Sequence, residues 1–228
     1  GGWAIHAGFW TGVNEGNGRM FDYDWAGAGE PWSDRSISDV RVVDSYLADL
    51  NMTVELLHQP RLRLSAVAGY KQDFWKWEDS VVDFLYSEDG FRDYHEVGDG
   101  SRMVDYEQRF SIPYFGVDSV WNGSAFRLHA YLLYSPFVMA EDKDYHIARD
   151  LRFKETFSFG NYIGLGLAAQ YDITPAVFLS LLLDGQTIPE FTGDMEVTDE
   201  TGETFTYPDS AGISHLSGML STALGVRF

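Results

Sequence analysis

Two short segments place acids and an imidazole at spacings that suit proton transfer. In Met20-Phe21-Asp22-Tyr23-Asp24-Trp25 two carboxylates stand at i and i+2. On an extended segment such residues share a face, roughly 6.5–7 Å apart along the chain. Carboxylates this close repel, so one tends to keep a proton that the other lacks. In Glu141-Asp142-Lys143-Asp144-Tyr145-His146 the spacing recurs between Asp144 and His146. A carboxylate there orients the imidazole and favours its charged form. Taken alone, each segment also reads as a solvated acidic loop, because the chain carries 35 Asp and Glu. Brought together, Asp22, Asp24, Asp144 and His146 would hold one water between base and imidazole. That arrangement suits addition of water to a peptide carbonyl without a covalent intermediate.

Other chemistries find no residues. Cysteine is absent, which removes disulfides, thiolate metal sites and cysteine nucleophiles together. No His-Glu-x-x-His spacing and no Gly-x-Ser-x-Gly elbow occur, so neither a metal centre nor a serine nucleophile is expected. Gly16-Asn17-Gly18 and Gly27-Ala28-Gly29 lack the following helix that phosphate cradling needs. His6 and His129 fall within strands and read as wall or interior residues. His58 sits in a tight turn, and His95 and His215 lie in or beside loops with no matching acid.

The elements that must position these residues follow a period of two. Trp3, Ile5, Ala7 and Phe9 alternate with Ala4, His6, Gly8 and Trp10. Leu50, Met52, Val54 and Leu56 form a similar row, as do Leu62, Leu64, Ala66 and Ala68, and Phe126, Leu128, Ala130, Leu132 and Tyr134. Such alternation predicts strands apolar on one face. Eight are expected, near 2–18, 38–57, 61–77, 102–120, 124–140, 150–171, 176–188 and 212–228. Short turns join some of them, at 58–61, 121–124 and 173–176, where Pro and Asn-Gly supply turn chemistry. Long acidic loops join the others, near 19–37, 78–101, 141–150 and 189–211. Short turns at one end and long loops at the other mark an antiparallel transmembrane barrel of the bacterial outer membrane. Residues 1–228 are read as one such domain. The last strand alternates Leu220, Thr222, Leu224, Val226 and ends on Phe228, like an outer-membrane assembly signal. Aromatics near strand ends (Trp3, Trp10, Trp75, Trp77, Tyr86, Tyr114, Trp121, Tyr162, Tyr171) are expected to form interfacial girdles. Both chemical segments then lie at the long-loop end.

Composition narrows the partners. With 16 Lys and Arg the net charge is −19, while 16% of the residues are aromatic. That charge argues against nucleic acid, which needs a basic stripe, and favours a cationic partner such as a basic peptide. The aromatic content excludes disorder. The chain opens Gly1-Gly2-Trp3 without an initiator Met or signal peptide and is read as a processed or trimmed product.

Several ordered segments resemble the omptins, outer-membrane endopeptidases of Gram-negative bacteria. Asp22-Tyr23-Asp24-Trp25 resembles the family's Asp-x-Asp-Trp, and Tyr86-Ser87-Glu88-Asp89-Gly90-Phe91-Arg92-Asp93 its Tyr-Ser-Ser/Glu-Glu-Gly-Phe-Arg-Asp loop. Tyr106-Glu107-Gln108-Arg109-Phe110-Ser111-Ile112-Pro113-Tyr114 resembles its Tyr-x-Gln-Arg-Phe-x-x-Pro-Tyr strand, and Asp142-Lys143-Asp144-Tyr145-His146 its Asp-x-Asp-x-His segment. The resemblance implies an aspartic-type endopeptidase with its active site facing outside. Asp22 and Asp24 would be the aspartate couple, and Asp144 and His146 the dyad. Asp142 would line the pocket for a basic P1 side chain, with Arg preferred over Lys because a carboxylate grips a guanidinium bidentately.

The expected partners are basic peptides or proteins and outer-membrane lipid. The protein is expected to be monomeric, with no cofactor beyond a lipopolysaccharide held at Tyr70 and Arg109. Phe74 stands where the family's strand carries Arg. The family has ten strands, and the match begins at its third, so its first hairpin and an acidic pocket residue on it have no counterpart here. That departure favours a second reading, a non-catalytic barrel serving as adhesin, structural protein or shortened pore scaffold. A soluble lipocalin-like barrel is a third.

Overall fold

The computed structural model describes residues 2–26 and 30–227, apart from the side chains of Asp22, Asp24 and Trp25. Ten strands form one antiparallel sheet: β1 (Trp3–Thr11), β2 (Gly16–Trp25), β3 (Trp32–His58), β4 (Leu62–Tyr86), β5 (Tyr94–Val97), β6 (Arg102–Asn122), β7 (Phe126–His146), β8 (Leu151–Asp172), β9 (Val177–Thr198) and β10 (Thr204–Val226). Eight of them lie side by side in the order β1-β3-β4-β6-β7-β8-β9-β10. The expected first strand is broken after Thr11, and β1 and β2 pair in turn with the two halves of β3. β5 is a short extra partner for the end of β4. The sheet does not close: among the described residues β1 and β10 are not paired with each other.

The three short turns stand where Pro and Asn-Gly placed them. Gln59 and Leu62 exchange backbone hydrogen bonds, and the Gly123 and Ile173 amides donate to Phe126 and Val177 carbonyls. The long acidic loops are different. β2 runs on to Trp25 and β3 starts at Trp32, β7 runs to His146, and β9 and β10 extend to Thr198 and from Thr204. What reads as loop is therefore mostly paired ribbon. Above a membrane both faces of a ribbon meet water, so charge there does not mark a loop. Cross-strand pairs such as Arg19–Asp39 at 2.9 Å and Lys143–Glu107 at 3.0 Å occupy these extensions.

The sheet curls. Lys71 of β4 donates to the Gln186 side chain of β9 at 2.5 Å, and the Trp75 ring lies 6.1 Å from that of His215 on β10. On the convex side the apolar rows are bare: Leu50, Met52, Val54, Val117, Leu132, Leu165, Leu167, Leu181 and Leu183 are all exposed. A band of this kind matches a lipid-facing wall. The concave side is mixed, with a core of Phe110, Ile112, Val138, Phe157, Tyr162 and Ile188. Trp75, Tyr114 and Tyr162 belong to this interior and not to a girdle, because their strand parity turns them inward.

An extra residue in β7 decides which face its upper half presents. Along β6, four steps separate Phe115 from Ser111, yet their partners Tyr134 and Met139 are five steps apart. The surplus falls at Ser135-Pro136-Phe137, and Pro is tolerated inside a sheet at such a bulge. Below it His129, Tyr131 and Leu133 line the concave cavity; above it Val138, Ala140 and Asp142 are the buried positions. β8 compensates with its own extra residue between Phe157 and Gly160, where Phe159 takes φ 66. One added residue reverses every side chain beyond it.

Because the chain has no cysteine, single-cysteine labelling can test this reversal. Lys143→Cys should react quickly with a maleimide and Asp142→Cys slowly. Deleting Pro136 should exchange the two rates, and unchanged rates would contradict the bulge as the cause.

Candidate active site

Asp142, Asp144 and His146 sit on alternate positions at the top of β7, and the bulge turns all three to the concave side. Asp144 faces Tyr106 on β6 and Phe153 on β8 across the sheet. Its Oδ2 lies 2.9 Å from His146 Nε2, and both side chains are about three-quarters covered. The Phe153 ring is 5.2 Å from the imidazole. After β7 the chain makes a single 3₁₀ turn, Ile147–Arg149, which carries Arg149 back over the histidine. Arg149 Nη2 is 2.5 Å from His146 Nδ1. A guanidinium can only donate, so Nδ1 accepts and Nε2–H donates to Asp144. The carboxylate thus fixes the tautomer, and the ring's one lone pair points at Arg149.

Asp142 is the most enclosed acid of the group, with 1% of its surface exposed. Tyr106 donates to its Oδ2 at 2.6 Å, and Gln108 donates to Tyr106 at 2.9 Å. This level stands above the apolar band, where the convex face carries the Lys143–Glu107 and Lys143–Glu141 pairs. Burial pushes Asp142 above the usual carboxylate range, because the charged form loses water. Burial likewise raises the Tyr106 hydroxyl, so it stays a donor. Asp142 Oδ1 and Asp144 Oδ1 are buried and receive nothing from Tyr106, Gln108 or His146. Glu155 of β8 stands directly opposite Asp142.

Asp22 and Asp24 lie on β2, in register with Ser36 and Asp34 of β3. Their side chains lie outside the described residues. The start of β3 that carries their partners is well tied. Arg92 donates to the Trp32 carbonyl at 2.6 Å and stacks 3.2 Å over its ring, and Ser87 donates to the Ser33 carbonyl at 2.8 Å. Both anchors come from the 86–93 segment singled out in the sequence.

Tyr70 and Arg109 share the convex face. Tyr70 donates to Ser111 at 3.0 Å, and the Arg109 guanidinium lies 5.3 Å above the Phe74 ring. Two histidines read as lacking an acid have one: His95 meets Asp83 at 2.7 Å, and His215, within β10, comes 4.0 Å from Asp73 on the concave side. Pairing across strands, neighbouring for His95 and distant for His215, supplied what spacing within one segment could not show. Sequence reasoning also missed Glu155, Tyr106 and Arg149. Counting back across the turn at 147–150 would have placed Glu155 opposite Asp142.

Below the site, the concave face holds a cavity of about 1040 Å³ whose walls include Asp49, Lys71, Asp118, His129 and Asp184. Among the described residues no group of three or more His, Asp or Glu could hold a metal ion.

Comparison with known proteins agrees with this architecture. The crystal structure of outer membrane protease OmpT from Escherichia coli superposes with a TM-score of 0.91 at 25% identity, covering 99% of this chain and 79% of that one. The plasminogen activator of Yersinia pestis is 30% identical over 98% of this chain and 72% of its own length. Outer membrane protease OmpP of Escherichia coli is 28% identical over 99% and 73% respectively. The profile of the omptin family matches residues 2–228. A match of that extent, over a sheet of this topology, means that the chain belongs to the omptin family.

Proposed function

We propose that this protein is an outer-membrane endopeptidase that cleaves peptides beside basic residues, with its active site facing outside. The observation that carries the reading is the Asp144–His146 bond of 2.9 Å, set on an inward-turned strand end above the apolar band. Relatives named as outer membrane proteases support it. His146, oriented by Asp144, and the couple Asp22 and Asp24 would flank one water. As the water attacks the peptide carbonyl its proton passes to His146 Nδ1, Asp144 stabilises the imidazolium formed, and collapse of the tetrahedral intermediate breaks the C–N bond as that proton passes to the leaving amine. No covalent intermediate is needed. Asp142 would hold the guanidinium of an arginine at P1, a charge-assisted pair favoured where water is excluded.

The His146 lone pair must be free when water is activated, so Arg149 has to leave Nδ1. The 3₁₀ turn that carries it is exposed, and displacing one arginine costs little there. Tyr70 and Arg109 on the convex face offer a hydroxyl and a cation to the phosphates of a lipopolysaccharide. The pore-scaffold alternative meets an interior already crossed by Lys71, Gln186 and Asp73 side chains.

His146→Ala and Asp22→Ala should each lower kcat/KM on an Arg-Arg peptide by roughly 10²–10⁴, the usual worth of acid–base catalysis, while the barrel still assembles. Assembly can be followed by heat-modifiable gel mobility. Full activity in His146→Ala would remove the dyad from the mechanism, and no cleavage by the unaltered protein would leave the non-catalytic barrel. Arg149→Ala should keep or raise kcat/KM, since it uncovers Nδ1. A loss of more than tenfold would instead make Arg149 part of the machinery.

A further inference from the structure

The acidic recess beside the dyad holds one carboxylate more than the reading above uses. Glu155 stands opposite Asp142 in the β7–β8 ladder, half-buried on the same concave face. From β7 it faces Asp142 and Asp144; from β9 its neighbour in register is Met195, which is apolar. Behind Asp142 stand Tyr106 and Gln108 of β6, whose hydrogen bonds reach Asp142 Oδ2 only. Asp142 Oδ1 is buried and receives nothing from those donors, and the Glu155 carboxyl is within hydrogen-bonding reach of the Asp142 carboxyl. The nearby cations are engaged elsewhere. Arg149 sits on His146, and Lys143 and Lys154 point to the convex face, where they meet Glu107 and Glu141.

Two carboxyls pressed together without a cation cannot both stay ionised. We propose that Glu155 is a specificity-determining residue of the recess, sharing a proton with Asp142 when the site is empty and releasing it to solvent when a cationic substrate side chain enters. The exchange balances: one proton leaves as one guanidinium or ammonium charge arrives between two carboxylates. A neutral side chain would leave the proton in place and gain no ion pair. The proposal rests on the basic-peptide reading and names the residue that couples it to pH.

The direction of the coupling follows from the environment. Burial and the facing Asp142 carboxylate push Glu155 up to about 8. Below that pH a binding cation must displace a proton, so affinity rises with pH, by at most about tenfold per unit for one proton, and levels off above it.

The test uses the full chain carrying His146→Ala, so that peptide binds without turnover. Calorimetric titration with an Arg-Arg peptide, from pH 6 to 9 in two buffers of different ionisation heat, reads affinity and proton release together. Near one proton should be released at pH 7, with binding tightening toward pH 9. A peptide with citrulline for arginine should release none. Adding Glu155→Gln should abolish the release and flatten the pH profile, and Glu155→Asp should restore both. Equal release and equal slope with Glu155→Gln would overturn the role of Glu155 while leaving basic-peptide binding intact. Absence of any Arg-Arg binding in a protein that also cleaves nothing would overturn both.

Discussion

A strand allows its side chains only two directions, and a ladder of paired strands transmits that choice along its whole length. The orientation of Asp142, Asp144 and His146 depends on it. β7 must show its lower half's odd positions and its upper half's even positions to the concave side. It does so by gaining one residue at Pro136, which β8 matches at Phe159. Without that pair of irregularities, Asp142, Asp144 and His146 would lie on the outer wall, and Lys143 and Tyr145 would occupy the interior. Local backbone strain at Phe159 is thus tied to the orientation of the acids.

The acids are arranged so that each is limited by a different neighbour. Asp144 gives one oxygen to the imidazole. Asp142 takes a tyrosine hydroxyl on one oxygen and meets a second carboxyl at the other. Arg149 lies over the imidazole and not between the acids, so the recess keeps its negative character. Burial raises the energy of charge that has no partner, which is why Asp142 is pushed above the usual carboxylate range. The −19 charge of the whole chain adds to the negative potential around the recess.

Much of this was legible in the sequence. Alternating rows such as Leu50-Met52-Val54-Leu56 marked the lipid-facing wall, and Pro60, Asn122-Gly123 and Pro175 marked the tight turns. Asp144 and His146 were readable because their contact is local, two residues apart on one strand. What escaped was non-local. Glu155 meets Asp142 across a turn, and His215 meets Asp73 across the curl of the sheet. The acidic stretches read as loops because charge is a poor guide to pairing once both faces of a ribbon are wet. The inward turn of Trp75, Tyr114 and Tyr162 follows from parity that aromatic content alone does not reveal.

The sheet is braced from within as well as paired strand to strand. Lys71, Gln186 and Asp73 reach across the concavity, and Phe110, Ile112 and Tyr162 pack beneath the site with almost no exposed surface. Struts of this kind tie β4 to β9 across the concavity, so a sheet whose described residues leave β1 and β10 unpaired is held in its curl by side chains as well as by its ladder.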